Sequence, residues 1–187
     1  YARTADGRLT LKGAVREILA TEMLTALNVP TSQTFCVIET GESLDRQDEP
    51  SPTRSAVLTR MLHSHIRIGS FQRLAYLLQQ ENLEILLRHT IKYYYPDLDS
   101  QADLKELIPA FLVQLAAKIA RMVAGWMAAG FVHGVLNTDN FNITGESFDY
   151  GPWRFLPAMQ PGFTAAYFDQ QKRYAYGRQP EAALWAL

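Results

Sequence analysis

Residues 109–129 form a run that is apolar on most faces: Phe111, Leu112, Leu115, Ile119, Met122, Val123, Trp126 and Met127. A helix without a broad polar face cannot lie on a protein surface and belongs in the middle of a bundle. Gln114, Lys118 and Arg121 interrupt the run, so nothing here approaches the roughly 20 consecutive apolar residues expected of a bilayer span. Gly130 is a natural helix terminator. The residues that follow it carry most of the chemistry.

Those residues read His133-Gly134-Val135-Leu136-Asn137-Thr138-Asp139-Asn140, then a strand-like stretch, then Asp149-Tyr150-Gly151. The spacing is similar to a kinase catalytic loop, H-R-D-L-x-x-x-N, followed by D-F-G, in which the Asn and the second Asp hold magnesium and the first Asp handles the hydroxyl proton. In this alignment Asn140 and Asp149 stand at the metal positions, whereas Val135 occupies the place of the usual base. An amide oxygen and a carboxylate suit magnesium, which takes hard oxygen ligands and completes its shell with phosphates and water. Such a site is expected to bind a nucleotide without transferring phosphate in the ordinary way.

The other candidates keep two readings open. Asp139 either takes over proton acceptance, or positions a second metal, or is a loop Asp capping its own backbone. His133 reads as a packed core histidine rather than a general base. His63 and His65 lack identifiable co-ligands, and His89 gives no signal. Arg60 and Arg67 are either phosphate-binding forks or surface arginines with packed stems. Glu17, off the apolar stripe of the first helix, reads alone as a solvated residue, although its neighbours Gly13, Ala14 and Thr21 would admit a close backbone approach.

The chain has 187 residues, 48% of them hydrophobic, with a formal net charge of −1. That balance supports one ordinary globular core and gives no field for nucleic acid or anionic lipid. The single cysteine, Cys36, excludes an internal disulfide and reads as a buried small residue. Tyr1 is not an initiator Met and no secretory signal follows, so the chain reads as a piece of a longer protein. Helices are expected at 11–28, 70–80, 83–94 and 109–129, with Thr10 as the first N-cap. In the first helix Leu11, Val15, Ile18, Leu19, Met23 and Leu27 form the apolar stripe. Strands are expected at 33–40 and 55–62, joined by a long polar connection. The aromatic cluster Tyr93-Tyr94-Tyr95 reads as packing.

Taken together, the chain resembles the selenoprotein O family of kinase-like protein adenylyltransferases. The resemblance rests on Asp6-Gly7-Arg8, Arg16-Glu17, Val57-Leu58-Thr59-Arg60, Arg67-Ile68-Gly69-Ser70-Phe71-Gln72, the octapeptide 133–140, Phe148-Asp149-Tyr150-Gly151-Pro152, Phe155-Leu156, Arg173-Tyr174-Ala175 and Gln179-Pro180. It implies an α+β, protein-kinase-like fold, with residues 1–62 a remnant of the N-lobe and 63–187 a helical C-lobe. It further implies ATP bound in a flipped orientation, Mg2+ or Mn2+, and transfer of AMP or UMP to Ser, Thr or Tyr hydroxyls of proteins. Asp6, Gly7, Arg60, Arg67 and Asp149 would contact nucleotide, Asn140 and Asp149 the metal, and Asp139 the proton. Glu17 would pair with a lysine that this chain lacks. A cytoplasmic location, with neither nucleic acid nor membrane as partner, belongs to the same expectation. Three departures accompany it: no Gly-rich loop, Thr4-Ala5 in place of Gly-Gly, and Pro157 in place of an acidic residue. The chain is therefore expected to be weak or inactive alone. The rival expectations are a kinase using Asp139 as base and a non-catalytic ATP-binding scaffold.

Overall fold

Thr10 ends a short strand and opens the first helix in one residue. Its extended backbone leaves the side-chain oxygen free to accept the Gly13 amide at 3.0 Å, which satisfies one of the unpaired amides of a helix start. The computed structural model describes residues 7–47 and 49–187. In it β1 spans Leu9–Thr10 and α1 spans Leu11–Ala26. Asn28 then takes a left-handed φ of 57° and Pro30 follows, so the chain leaves the helix two residues before the expected end.

The face that α1 buries differs from the expected stripe. Ala14, Glu17, Ala20, Thr21 and Leu24 are buried, whereas Val15, Leu19, Met23 and Leu27 are exposed. The reason is reach. Small side chains allow the helix axis to settle close to the adjoining sheet, and the larger apolar residues remain on the opposite side. Periodicity locates a stripe but does not say which face meets a partner.

That sheet is antiparallel, in the order β1-β3-β2, with β2 at Gln33–Leu44 and β3 at Thr53–Met61. Val37 lies opposite Leu58 and Ile38 opposite Val57, a β-branched and apolar pairing that favours a sheet. After an irregularity between Glu39 and Ser43, the pairing resumes with Ser43 opposite Arg54 and Leu44 opposite Thr53. Residues 41–44, expected in the connection, are therefore strand. Cys36 is free and only partly buried, which corrects its reading as a core residue; its strand β2 forms an edge of this sheet.

The helical part follows as α2 (Ile68–Tyr76), α3 (Gln80–Tyr94), α4 (Leu104–Ala129) and α5 (Gln179–Ala186). Asp103 starts α4 earlier than expected by accepting the Lys105 amide at 2.8 Å, and the helix continues through Pro109. One face of α4 is buried, through Leu107, Phe111, Leu115, Ile119, Met122, Val123 and Trp126, while Ile108, Leu112 and Val113 are exposed. By length and composition α4 is also the one helix among the described residues long and apolar enough to cross a membrane. The expectation that nothing approaches such a span is amended to that extent; here its inner face forms the main core.

Gly130 closes α4 in the left-handed conformation, φ 65°, as a glycine after a helix end does at no steric cost. β4 (Phe131–Val132) then pairs antiparallel with β5 (Arg154–Phe155). This short ladder clamps both ends of the intervening segment 133–153. Trp126 and Phe131 beneath the segment, and Phe141, Ile143 and Tyr150 within it, are all fully buried. From the side, Tyr95 donates its buried hydroxyl to the Ile143 carbonyl at 2.5 Å. The chain is thus an α+β protein whose chemistry-bearing loop is tied to the core helix at both ends.

Candidate functional site

The segment 133–153 is held in shape by its own polar groups. His133 is fully buried, with Nε2 2.8 Å from the Asp149 carbonyl and 3.0 Å from Ser147 Oγ. A carbonyl only accepts, so Nε2 carries the proton. Burial pushes the imidazole pKa down to about 4, against the opposing pull of the Asp149 charge. A neutral, fully packed ring beside Trp126 and Tyr150 is a structural histidine, as expected, and not a base. Its neighbour Gly134, at φ +90°, leaves no room for a side chain: an added Cβ would stand 2.9 Å from Pro152 Cγ.

The pair on which the metal expectation rests is brought together. Asn140 Nδ2 donates to Asp149 Oδ1 at 2.5 Å, and Asn140 Oδ1 accepts the Asn137 amide at 3.2 Å. The positive end of the amide occupies the place beside the carboxylate where a cation would be attracted. Rotation of the amide by half a turn would present its oxygen instead, giving one amide and one carboxylate oxygen. Among the described residues no group of three His, Cys, Asp or Glu side chains could hold a metal. One amide and one carboxylate oxygen fit an ion that takes most of its ligands from phosphate and water.

Glu17 and Arg60 meet from two other elements. Arg60 Nη2 lies 2.9 Å from Glu17 Oε2, with side chains only 15% and 9% exposed. The contact is electrostatic rather than an aligned hydrogen bond, and among the described residues both Glu17 Oε2 and Arg60 Nη1 lack a hydrogen-bond partner. Glu17 Oε1 accepts the Tyr150 amide at 3.0 Å. Burial raises the Glu17 pKa, opposed by the Arg60 charge and the Tyr150 amide. Glu17 is therefore not a solvated residue, and its charged partner among the described residues is Arg60. It binds α1 and β3 to the turn that carries Asp149. Arg60, expected at the nucleotide, is engaged with Glu17 but retains a buried, unpaired guanidinium nitrogen.

Arg67 approaches the same turn from the other side. Its guanidinium lies 4.5 Å from the centre of the Phe148 ring and its backbone bridges Asn142. Such a cation–π contact adds about 0.5–1 kcal/mol at an exposed site. Gly7 is exposed, with φ 68°, and among the described residues no hydrogen bond joins it to the group above. Asp6 lies outside the described residues.

Asp139 is exposed, and its amide is bonded to the Asn137 side chain at 2.8 Å. Its carboxylate lies against Gly69, where an added Cβ would come within 2.2 Å of Oδ1. The Gly69 amide donates to the Thr138 carbonyl at 2.9 Å, and Thr138 Oγ1 donates to Gln72 Oε1 at 2.7 Å. The first turns of α2 thus fix the loop at the residue proposed for proton transfer.

Several positioning residues entered the sequence reading only as parts of matching strings. Arg16 donates to the Trp153 carbonyl at 2.6 Å and stands over its ring; burial lowers its pKa. The Gln179 side chain is fully buried, accepting from the His133 amide at 2.8 Å and donating to the Phe131 carbonyl at 2.9 Å. Tyr150, whose phenol pKa is raised by burial, shares a 2.5 Å hydrogen bond with Thr31. A polar residue in an otherwise apolar setting was the available signal, but its partner is remote in the chain.

Fold and site together define an α+β protein that converges an Asn–Asp pair, two arginines and a buried glutamate on one clamped loop. Among proteins of this kind, the chain is 53% identical over 187 residues to the protein nucleotidyltransferase YdiU of Synechocystis sp., covering all of this chain and 39% of that protein. It is 54% identical to the YdiU protein of Trichormus variabilis, again over the whole chain and 38% of the relative. A more distant YdiU protein, from Marinomonas sp., is 39% identical with the same shares. The family model described as protein adenylyltransferase SelO matches residues 1–187. The chain belongs to the SelO family, and it spans about two fifths of the length of the curated relatives it matches.

Proposed function

We propose that the full-length protein has a kinase-like fold and transfers AMP from ATP to a Ser, Thr or Tyr hydroxyl of a protein, releasing pyrophosphate. The observation that carries this reading is the 2.5 Å approach of Asn140 and Asp149 in a loop clamped by the core helix. Relatives named protein nucleotidyltransferase and a family described as protein adenylyltransferase support it.

Asn140 and Asp149 would hold Mg2+ or Mn2+, which supplies charge neutralisation at the phosphates. The remaining steps fall to the chain itself. Arg60 offers its unpaired Nη1, and Arg67 its guanidinium on the Phe148 ring, as donors toward phosphate oxygens. Gly7 and Asp6 complete the nucleotide contacts in the same proposal. Val135 in the usual base position removes the familiar proton acceptor, leaving Asp139 to accept the hydroxyl proton. The acceptor oxygen then forms a bond to the α-phosphorus, the bond from that phosphorus to the bridging oxygen of the β-phosphate breaks, and pyrophosphate leaves. Alignment and preorganised charge dominate such transfers.

The test uses the full-length protein with ATP labelled at the α or the γ phosphorus, Mg2+ or Mn2+, and a mixture of protein acceptors. Covalent label from the α position alone is expected. Label from γ alone would replace this reading with a kinase using Asp139 as base. Metal-dependent ATP binding with neither label transferred would leave a scaffold; equivalent experiments with UTP decide between AMP and UMP.

A further inference from the structure

One face of α2 remains unaccounted for by the nucleotide. Gly69, Gln72, Arg73 and Tyr76 recur at spacings of three and four, and together with Asp139 they line an open groove of about 340 Å3. Its inner end is fixed, because Gly69 and Gln72 are both bonded to Thr138. Its outer end is open: Tyr76 is 86% exposed, and Arg73 is exposed without an ion-pair partner among the described residues. A cation and an aromatic ring are thus presented on a helix whose first turn touches the carboxylate proposed to receive the acceptor's proton.

We infer that this groove seats the protein substrate, as an extended segment running from the acceptor hydroxyl at Asp139 outward along α2. The inference rests on the adenylyl-transfer reading for the role of Asp139, but the groove is defined by its own residues. Helical rise places Arg73 about 6 Å and Tyr76 about 10 Å beyond Gly69 along the axis. An extended peptide advances about 3.3 Å per residue. The guanidinium therefore meets the side chain about two residues from the acceptor, on the acceptor's own face of the segment, and the exposed Tyr76 ring flanks the one about three residues away, on the alternate face. Charge complementarity selects Asp or Glu at the first of these positions, and the exposed ring selects an apolar side chain at the second. The stated partner is an acidic, locally extended protein segment bearing a hydroxyl.

The test uses the full-length protein and peptides containing a single serine. Glu, Lys or Ala is placed two residues away on either side, and Leu or Gly three residues away. Transfer of label from ATP is scored as kcat/KM. Binding is scored by fluorescence anisotropy with a non-hydrolysable ATP analogue and Mg2+. Glu is expected to exceed Lys by about threefold to tenfold, the range of an exposed ion pair and its like-charge converse. Arg73→Glu should invert that order and Arg73→Gln should flatten it. Tyr76→Ala should erase the preference for Leu over Gly. Identical rankings in wild type and Arg73→Glu, in either assay, would overturn the inference. If no α label moves but anisotropy still shows an order that Arg73→Glu inverts, the transfer chemistry fails and the groove assignment stands.

Discussion

Gly69 and Asp139 are separated by most of α2 through α4 in the chain, yet a single methyl group at Gly69 would force the Asp139 carboxylate to move. A Cβ at Gly69 would lie 2.2 Å from the Asp139 carboxylate, so Gly69→Ala must displace that side chain. Misplacing a reacting group by about 1 Å can lower turnover about 100-fold. Gly69→Ala is expected to reduce kcat by that order with KM for ATP little changed; steady-state kinetics on the full-length protein decide it, and an unaltered kcat would remove Asp139 from the chemistry. The Asn140–Asp149 contact makes a separate prediction. Asn140→Ala deletes the amide oxygen that the ion would take. Removing a group that holds or orients a metal typically costs about tenfold to a hundredfold in affinity, so titration calorimetry should show MgATP affinity falling by about tenfold or more.

Between elements, the Glu17–Arg60 pair joins α1 to β3, and the Tyr150 amide joins both to the loop. Mostly buried ion pairs add little over an apolar substitute, but removing one member leaves a stranded charge and costs about 3–5 kcal/mol. Arg60→Ala should therefore destabilise strongly in urea unfolding, whereas the double change Glu17→Leu with Arg60→Met should recover much of the loss. Equal destabilisation by single and double variants would show that the pair does not act as a unit. The hydroxyl of Tyr95 is a simpler case. It makes one buried hydrogen bond, to Ile143, and Tyr95→Phe should lower unfolding free energy by about 1 kcal/mol. These links were not legible in the chain. Glu17 and Arg60 each show a charged residue near apolar neighbours, but nothing local says that they face one another. The stripe of Val15, Leu19, Met23 and Leu27 was legible and pointed to the wrong face, because close approach needed the small residues instead.

Across the protein as a unit, His133 couples stability to pH. Its folded pKa is near 4, below the ordinary value of 6.5, so the unfolded chain binds the proton more readily. The contribution is complete above about pH 6.5 and is lost as pH falls toward 4, up to about 3 kcal/mol from this group. Urea midpoints measured between pH 4.5 and 7.5 should fall on the acid side. His133→Gln, which retains a donor for the Asp149 carbonyl, should flatten that dependence; an unchanged slope would assign it to other groups. The same buried ring ties the end of α4 to the turn bearing Asp149, so acid unfolding and loss of the candidate site are expected together.

Much of the loop's identity was readable directly: the spacing from His133 to Asn140 to Asp149, the Thr10 cap, the Gly130 stop and the strands flanking the polar connection. Each depends on hydrogen bonds or steric limits spanning a few residues, and local chemistry suffices for those. The buried face of α1, the partner of Glu17, the insertion of Gln179 beneath β4 and the seat of Asp139 on Gly69 emerged only in three dimensions. They are contacts between segments tens of residues apart, and their choice is set by how closely backbones approach rather than by any pattern along the chain.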